Sequence, residues 1–172
     1  MAALKLGDPA PAFDLPGVDG RNHALSDYAG RPVAVVFSCC HCPYVVAWEE
    51  RLNDVARDYE GRAGLVAVNS NAGYLGDSFE DMRTRADERG FVFPFIYDEA
   101  QDVARAYGAA RTPEVFVFDA DHRLVYHGAP DSDHQDPDGA EPYLRPALDA
   151  ALAGTQPEVQ QTPPVGCTVK WR

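Results

Sequence analysis

The apolar residues of this chain change their period at Pro43. Before it, Val33-Ala34-Val35-Val36-Phe37 is an unbroken apolar run, the pattern of a strand buried on both faces. After it, Val45, Trp48, Leu52, Val55, Ala56 and Tyr59 recur at three- and four-residue steps. Glu49, Glu50, Asn53, Asp54, Arg57 and Asp58 occupy the other side, so an amphipathic helix is predicted from Pro43, stopped by Gly61. Leu65 to Asn69 reads as a second buried strand. Ser78 with Asp81 three residues on predicts a capped helix that carries Phe79, Met82 and Ala86 inside and stops at Gly90. Phe93 to Tyr97 is a short extended piece, which Pro94 places at a sheet edge. Asp98 with Gln101 reads as another capping box, opening a helix with Val103, Ala104 and Tyr107 inside and Gly108 at its end. Glu114 to Phe118 and Leu124 to His127 form two strands joined by a turn at Asp119-Ala120-Asp121. Leu144, Ala147, Leu148, Ala151 and Leu152 mark a last helix, closed by Gly154.

Upstream of this pattern, Phe13-Asp14-Leu15 and Arg21 to Leu25 flank Val18-Asp19-Gly20 as a short hairpin. Residues 129–142 are acidic and contain proline, the composition of a solvated loop. The tail from Thr155 is rich in Pro and Gln but ends in Val165-Gly166-Cys167-Thr168-Val169-Lys170-Trp171, and a Cys and a Trp there predict a tail that docks. Helices between strands demand parallel crossovers, and the tight turn near Asp119 demands an antiparallel pair. The expected fold is therefore α/β, with a mixed sheet between helices on both faces. It is read as one domain over residues 1–154, with the tail 155–172 packed on it.

Composition narrows the functional classes. The net charge of −12 disfavours nucleic acid and anionic membrane as partners, because both require clustered Lys and Arg. No run approaches the ~20 apolar residues of a membrane span. The segment Met1 to Pro9 has no basic stretch followed by an apolar core, so the expected setting is cytoplasmic. In a reducing compartment, clustered cysteines signal catalysis or metal binding more than structural bridging.

Three of the four cysteines fall in Cys39-Cys40-His41-Cys42-Pro43, where the buried strand gives way to the helix. Cys39 and Cys42 form a Cys-x-x-Cys pair. Positions three apart at a helix start lie on one side, within the span a disulfide tolerates. The helix N-terminus favours a thiolate through its free N–H groups and partial positive charge, to which His41 could add. The alternative is a copper or zinc site using Cys39, Cys42 and a His, but no second ligand pair is visible in the sequence. Cys40 is expected to face sideways as an inert thiol. Cys167 is either a small buried hydrophobe packing the tail or a third redox thiol. His127, His134, Asp131, Asp133, Asp136 and Asp138 lack calcium-loop spacing.

Together with the Cys-x-x-Cys pair, Thr112-Pro113 ahead of a core strand resembles the thioredoxin-like superfamily. The similarity is to its redoxin branch, with peroxiredoxin-like (alkyl hydroperoxide reductase/thiol-specific antioxidant) relatives. It is carried by Gly7 to Phe13, Cys39 to Tyr44, Ala109 to Phe116 and Gly166 to Trp171. The resemblance implies a three-layer α/β/α sandwich with a mixed central sheet, an N-terminal hairpin extension and a docked C-terminal tail. It also implies a thiol–disulfide oxidoreductase in which exposed Cys39 attacks a substrate disulfide and Cys42 resolves the mixed disulfide. Pro113 would be a cis-proline facing the thiols, with His41, Pro43 and Thr112 supporting the site. The expected partners are a protein or small-molecule disulfide and a cellular thiol reductant, with no cofactor beyond the cysteine pair. The peroxidase alternative makes Cys42 peroxidatic, with peroxide as substrate. The family's Thr three residues before that cysteine is Cys39 here, and Arg111 lies out of register with the family's Arg.

Overall fold

A computed structural model describes residues 3–172; Met1 and Ala2, where the reading of a missing leader begins, lie outside the described residues. The chain opens with a hairpin of β1 (Asp14–Pro16) and β2 (Asn22–Ala24), paired antiparallel with Leu15 opposite His23. β3 (Val33–Ser38), β4 (Gly64–Asn69), β5 (Phe95–Tyr97), β7 (Glu114–Phe118) and β8 (Leu124–Gly128) form the central sheet in the order β5-β4-β3-β7-β8. The β3/β4 and β4/β5 pairs are parallel, whereas β3/β7 and β7/β8 are antiparallel, so the sheet is mixed as expected. β5 is at an edge, where Pro94 can stand without breaking a ladder.

Strand periodicity of two divides the core. Ala34 and Val36 of β3 point to a layer built from α1 (Pro43–Asp58), α2 (Phe79–Arg89) and α4 (Leu144–Ala153). Val33, Val35 and Phe37 point to the opposite layer, where α3 (Asp102–Tyr107) packs with Phe13 and Tyr28. The molecule is thus a three-layer α/β/α thioredoxin fold. β6 (Arg111–Thr112) stands outside the main sheet and pairs antiparallel with β9 (Cys167–Thr168), so the C-terminal segment docks as a strand.

Local signals set most element ends. Pro43 is the first residue of α1, and Ser78 and Asp81 form a reciprocal capping box on α2. Gly90 closes α2 at φ +60°, a left-handed conformation that a side chain would strain. Three side-chain expectations are corrected. Asp98 and Gln101 do not form a capping box: Asp98 accepts from the amides of Val103 and Ala104, while Gln101 itself is left-handed (φ +65°) and its side-chain amide donates to the carbonyls of Ser70 and Lys170. Glu49 and Asn53 are buried, not solvated, because each finds charged or backbone partners on α2. Glu49 accepts from the Arg85 and Arg89 guanidinium groups, and Asn53 donates to the carbonyls of Arg89 and Gly90 while accepting from Val92. Asp131 also leaves solvent, pairing with Arg51 at 2.6 Å and accepting from the Trp48 indole at 2.9 Å.

Candidate active site

The antiparallel register of β3 and β7 assembles the site. Phe37 lies opposite Glu114, and continuing that register past the strand ends brings Cys39 to Thr112. Cys39 Sγ and Thr112 Oγ1 are 3.6 Å apart. The Thr112–Pro113 bond is cis, as the resemblance implied. Cys42 is the N-cap of α1, with no acidic residue in the first turn to oppose the positive end of the helix. Its Sγ lies 3.4 Å from the Thr112 carbonyl, to which the thiol donates when protonated, and 2.7 Å from Cys167 Sγ. All four cysteines are free thiols.

The sulfurs divide one charge unevenly. Hydrogen bonding from Cys39 is the largest influence on Cys42 and, with Cys167 and the Val45 amide, pushes its thiol down to about 4 against the opposing effect of burial. The same contact, followed by burial, holds Cys39 above the usual thiol range. Cys167 is pushed up to about 11 by burial and then by its contact with Cys42. The arrangement therefore favours the thiolate form at Cys42 over its two sulfur neighbours. This corrects the picture of an exposed Cys39: Cys39 and Cys42 are both buried, at 2% and 4% exposure. Strand β3 delivers Cys39 into the protein before the chain turns outward at His41.

Asp77 holds the loop between the paired cysteines. It is fully buried, and its carboxylate accepts from the Cys40 backbone N–H at 2.8 Å and from Asn69 Nδ2 at 3.1 Å. Burial first, and then the negative field of Asp77, raise the Cys40 thiol well above its ordinary range. His41 is half exposed, with Nδ1 3.5 Å from Asp77 and its ring stacked on Tyr74. Among the described residues, no group of three or more His, Cys, Asp or Glu side chains is placed to hold a metal ion. No helix of the described chain is long and apolar enough to cross a membrane.

Sequence reasoning missed the supports behind the cis-proline. Glu114 Oε1 accepts from the amides of Ala110 and Arg111, each at 2.9 Å, and Oε2 contacts His127 Nε2 at 2.6 Å. Both side chains are buried, and His127 Nδ1 has no partner. An acidic residue inside an apolar strand was the available signal for this brace. His134 was considered only with the acidic loop; it packs on Tyr44 and Trp48 instead.

The family model for AhpC/TSA matches residues 6–127. A candidate peroxiredoxin of Mycobacterium tuberculosis is 36% identical over 71% of this chain and 83% of its own length. The thiol-disulfide oxidoreductase ResA of Geobacillus thermodenitrificans is 28% identical over 71% of this chain and 68% of its own. The crystal structure of an uncharacterized conserved protein from Geobacillus kaustophilus superposes with a TM-score of 0.89 at 39% identity, covering 100% of this chain and 97% of the other. The cytoplasmic expectation is withdrawn. Among the solved structures of this fold is the pneumococcal exposed lipoprotein thioredoxin of Streptococcus pneumoniae, at TM-score 0.63 and 24% identity over 73% of this chain and 93% of its own. That neighbour's name places it at the cell surface, whereas the cytoplasmic expectation rested only on the residue pattern of the first nine positions. The cis-proline, the cysteines at the mouth of α1 and the match across most of the chain lead to one conclusion: this protein belongs to the AhpC/TSA family, within the thioredoxin-like redoxin superfamily of oxidoreductases.

Proposed function

We propose that the chain is a thiol–disulfide oxidoreductase in which Cys42 is the attacking thiolate and Cys39 its resolving partner. The observation that carries this reading is the position of Cys42, which caps the N-terminus of α1 with no acidic residue in the first turn and has its Sγ 3.4 Å from the carbonyl of the cis Thr112–Pro113 bond. The thiolate attacks one sulfur of a substrate disulfide, forming a mixed disulfide and releasing the other sulfur as a thiolate that takes up a proton. Cys39 then loses its proton and attacks Cys42 Sγ. This releases the second substrate thiol and leaves a Cys39–Cys42 disulfide, which a cellular thiol reductant restores. The attacking and resolving roles are thus reversed from those the resemblance implied, because protonation rather than chain order selects the nucleophile.

A peroxidase reading has one specific support, the contact of Cys167 with Cys42. Peroxide would oxidise Cys42 to a sulfenic acid, and Cys167 would condense with it, releasing water. Against this, Cys39 stands where the family's Thr is expected, and the exposed Arg111 guanidinium reaches the Gly166 carbonyl of the tail. The deciding experiment gives the reduced protein either bis(2-hydroxyethyl) disulfide or hydrogen peroxide. Disulfide exchange predicts that Cys42→Ser abolishes turnover and that Cys39→Ser accumulates the mixed disulfide by mass. Faster consumption of peroxide than of disulfide, with Cys39→Ser fully active, would establish the peroxidase instead.

A further inference from the structure

The tail reaches the site as a strand. Before it arrives, it is tied along β8, where His127 N–H donates to Gln160 and Thr162 N–H donates to the His127 carbonyl. It then pairs with β6, Thr112 opposite Cys167 and Arg111 opposite Thr168. Beyond that pairing the tail's own main chain continues to be held, by one backbone carbonyl and two side-chain amides. Val169 N–H donates to Ala110 O at 3.0 Å, Lys170 N–H to Asn71 Oδ1 at 2.9 Å, and Gln101 Nε2 to Lys170 O at 2.8 Å. Val169 is the one deeply buried tail side chain here, at 4% exposure.

Two features show what kind of strand this edge takes. Gly166 lies so close to the cis-proline that a Cβ there would collide with the Thr112 carbonyl oxygen, at 2.6 Å from its carbon and 3.1 Å from Pro113 N. The next residue presents its sulfur to Cys42. A main-chain ladder plus one sulfur aimed at the nucleophile is how an extended peptide disulfide would lie on a sheet edge.

We propose that the tail is a resident strand in the position of a polypeptide substrate, so that the intact chain excludes polypeptide disulfides until residues 166–172 lift. The peptide class that fits has a glycine directly before its cysteine. This rests on the disulfide-exchange reading. The arithmetic favours the resident: a tethered segment competes at an effective concentration on the order of millimolar, about 10³ times that of a micromolar protein substrate making the same main-chain bonds.

The test uses the full-length chain with Gly166→Val, which forces the strand off Thr112, and Val169→Asp, which removes its anchor. The probe is a fluorescently labelled peptide of residues 163–172 carrying Cys167→Ser. It should bind both variants at least tenfold more tightly than it binds the unaltered protein. The rate ratio for insulin over bis(2-hydroxyethyl) disulfide should rise about tenfold in the same variants. Equal peptide affinity for all three proteins, or binding to none, overturns the resident-strand proposal whether or not turnover occurs. Peptide binding as expected without reduction of either disulfide would overturn the exchange reading alone.

Discussion

The Sγ atoms of Cys42 and Cys167 lie 2.7 Å apart although 125 positions separate them in the chain. The contact joins the N-terminus of a helix to a two-residue strand of the tail, and it gives Cys42 a second sulfur neighbour besides Cys39.

The Cys42 charge should be visible in pH dependence. Its folded value of about 4 lies below the ordinary 9.0, so between these limits the unfolded chain binds more protons. The stability contributed by Cys42 is therefore fully present above pH 9 and is lost as pH falls towards 4. Relative to Cys42→Ser, the unaltered protein should lose Tm on acidification across that window. Iodoacetamide should alkylate Cys42 at rates within about twofold between pH 6 and 8, where an ordinary thiol changes nearly 100-fold. A normal titration of absorbance at 240 nm near pH 8–9 would contradict the assignment.

Mild oxidation should leave a particular bonding map. Every intramolecular disulfide found by peptide mapping should contain Cys42, with Cys39 or Cys167 as its partner. Cys40 should remain a free thiol that iodoacetamide reaches only after unfolding. A Cys39–Cys40 bridge would refute the map.

Asp77→Ala removes the acceptor for the Cys40 and Asn69 donors inside the protein. The expected loss is about 3 kcal/mol by urea denaturation, with slower disulfide exchange as the cysteine loop loosens. The substitution also removes a negative charge beside Cys40, so Cys40 alkylation at pH 8 should accelerate.

Glu114→Ala strands two backbone donors and His127, and should cost about 3–5 kcal/mol. Glu114→Gln keeps an acceptor for both amides and can meet His127 through a change of imidazole tautomer, so about 1–2 kcal/mol is expected. The same order should appear in kcat/KM, because these amides hold the segment that ends in Pro113. Equal stability of the two variants would show that the brace is unimportant.

Much of the fold was legible because its signals are local. Pro43, the Ser78–Asp81 box and the glycines that cap α2, α3 and α4 mark ends that neighbouring residues decide by themselves, whereas α1 stops at Asp58 with Tyr59 as its cap, ahead of Gly61. Burial of Glu49 and Asn53 and the pairing of Asp131 were illegible, since each is satisfied by a partner on another element that no periodicity reveals. The cysteine pair and Thr112-Pro113 stood out by residue type and spacing. The protonation of the thiols did not, because it depends first on the contact between Cys39 and Cys42 and on how deeply they are buried, and then on a tail sulfur brought to Cys42. Gln101 shows the limit best: its side chain bonds to Ser70 and to Lys170 and Arg172 of the tail, partners 31, 69 and 71 positions away.

The opposed directions of β3 and β7 have a consequence for how this protein can change. The thiols leave the end of one strand, and the cis-proline enters the start of its neighbour, so a single ladder from Val33–Phe118 to Phe37–Glu114 fixes their separation. The chain running out through α2 and α3 and back again does not measure that distance. Insertions or replacements in the outer loops of that excursion should leave the reactive geometry intact, while a one-residue slip between β3 and β7 would dismantle it. The site's tolerance to evolution is thus a property of one strand pair.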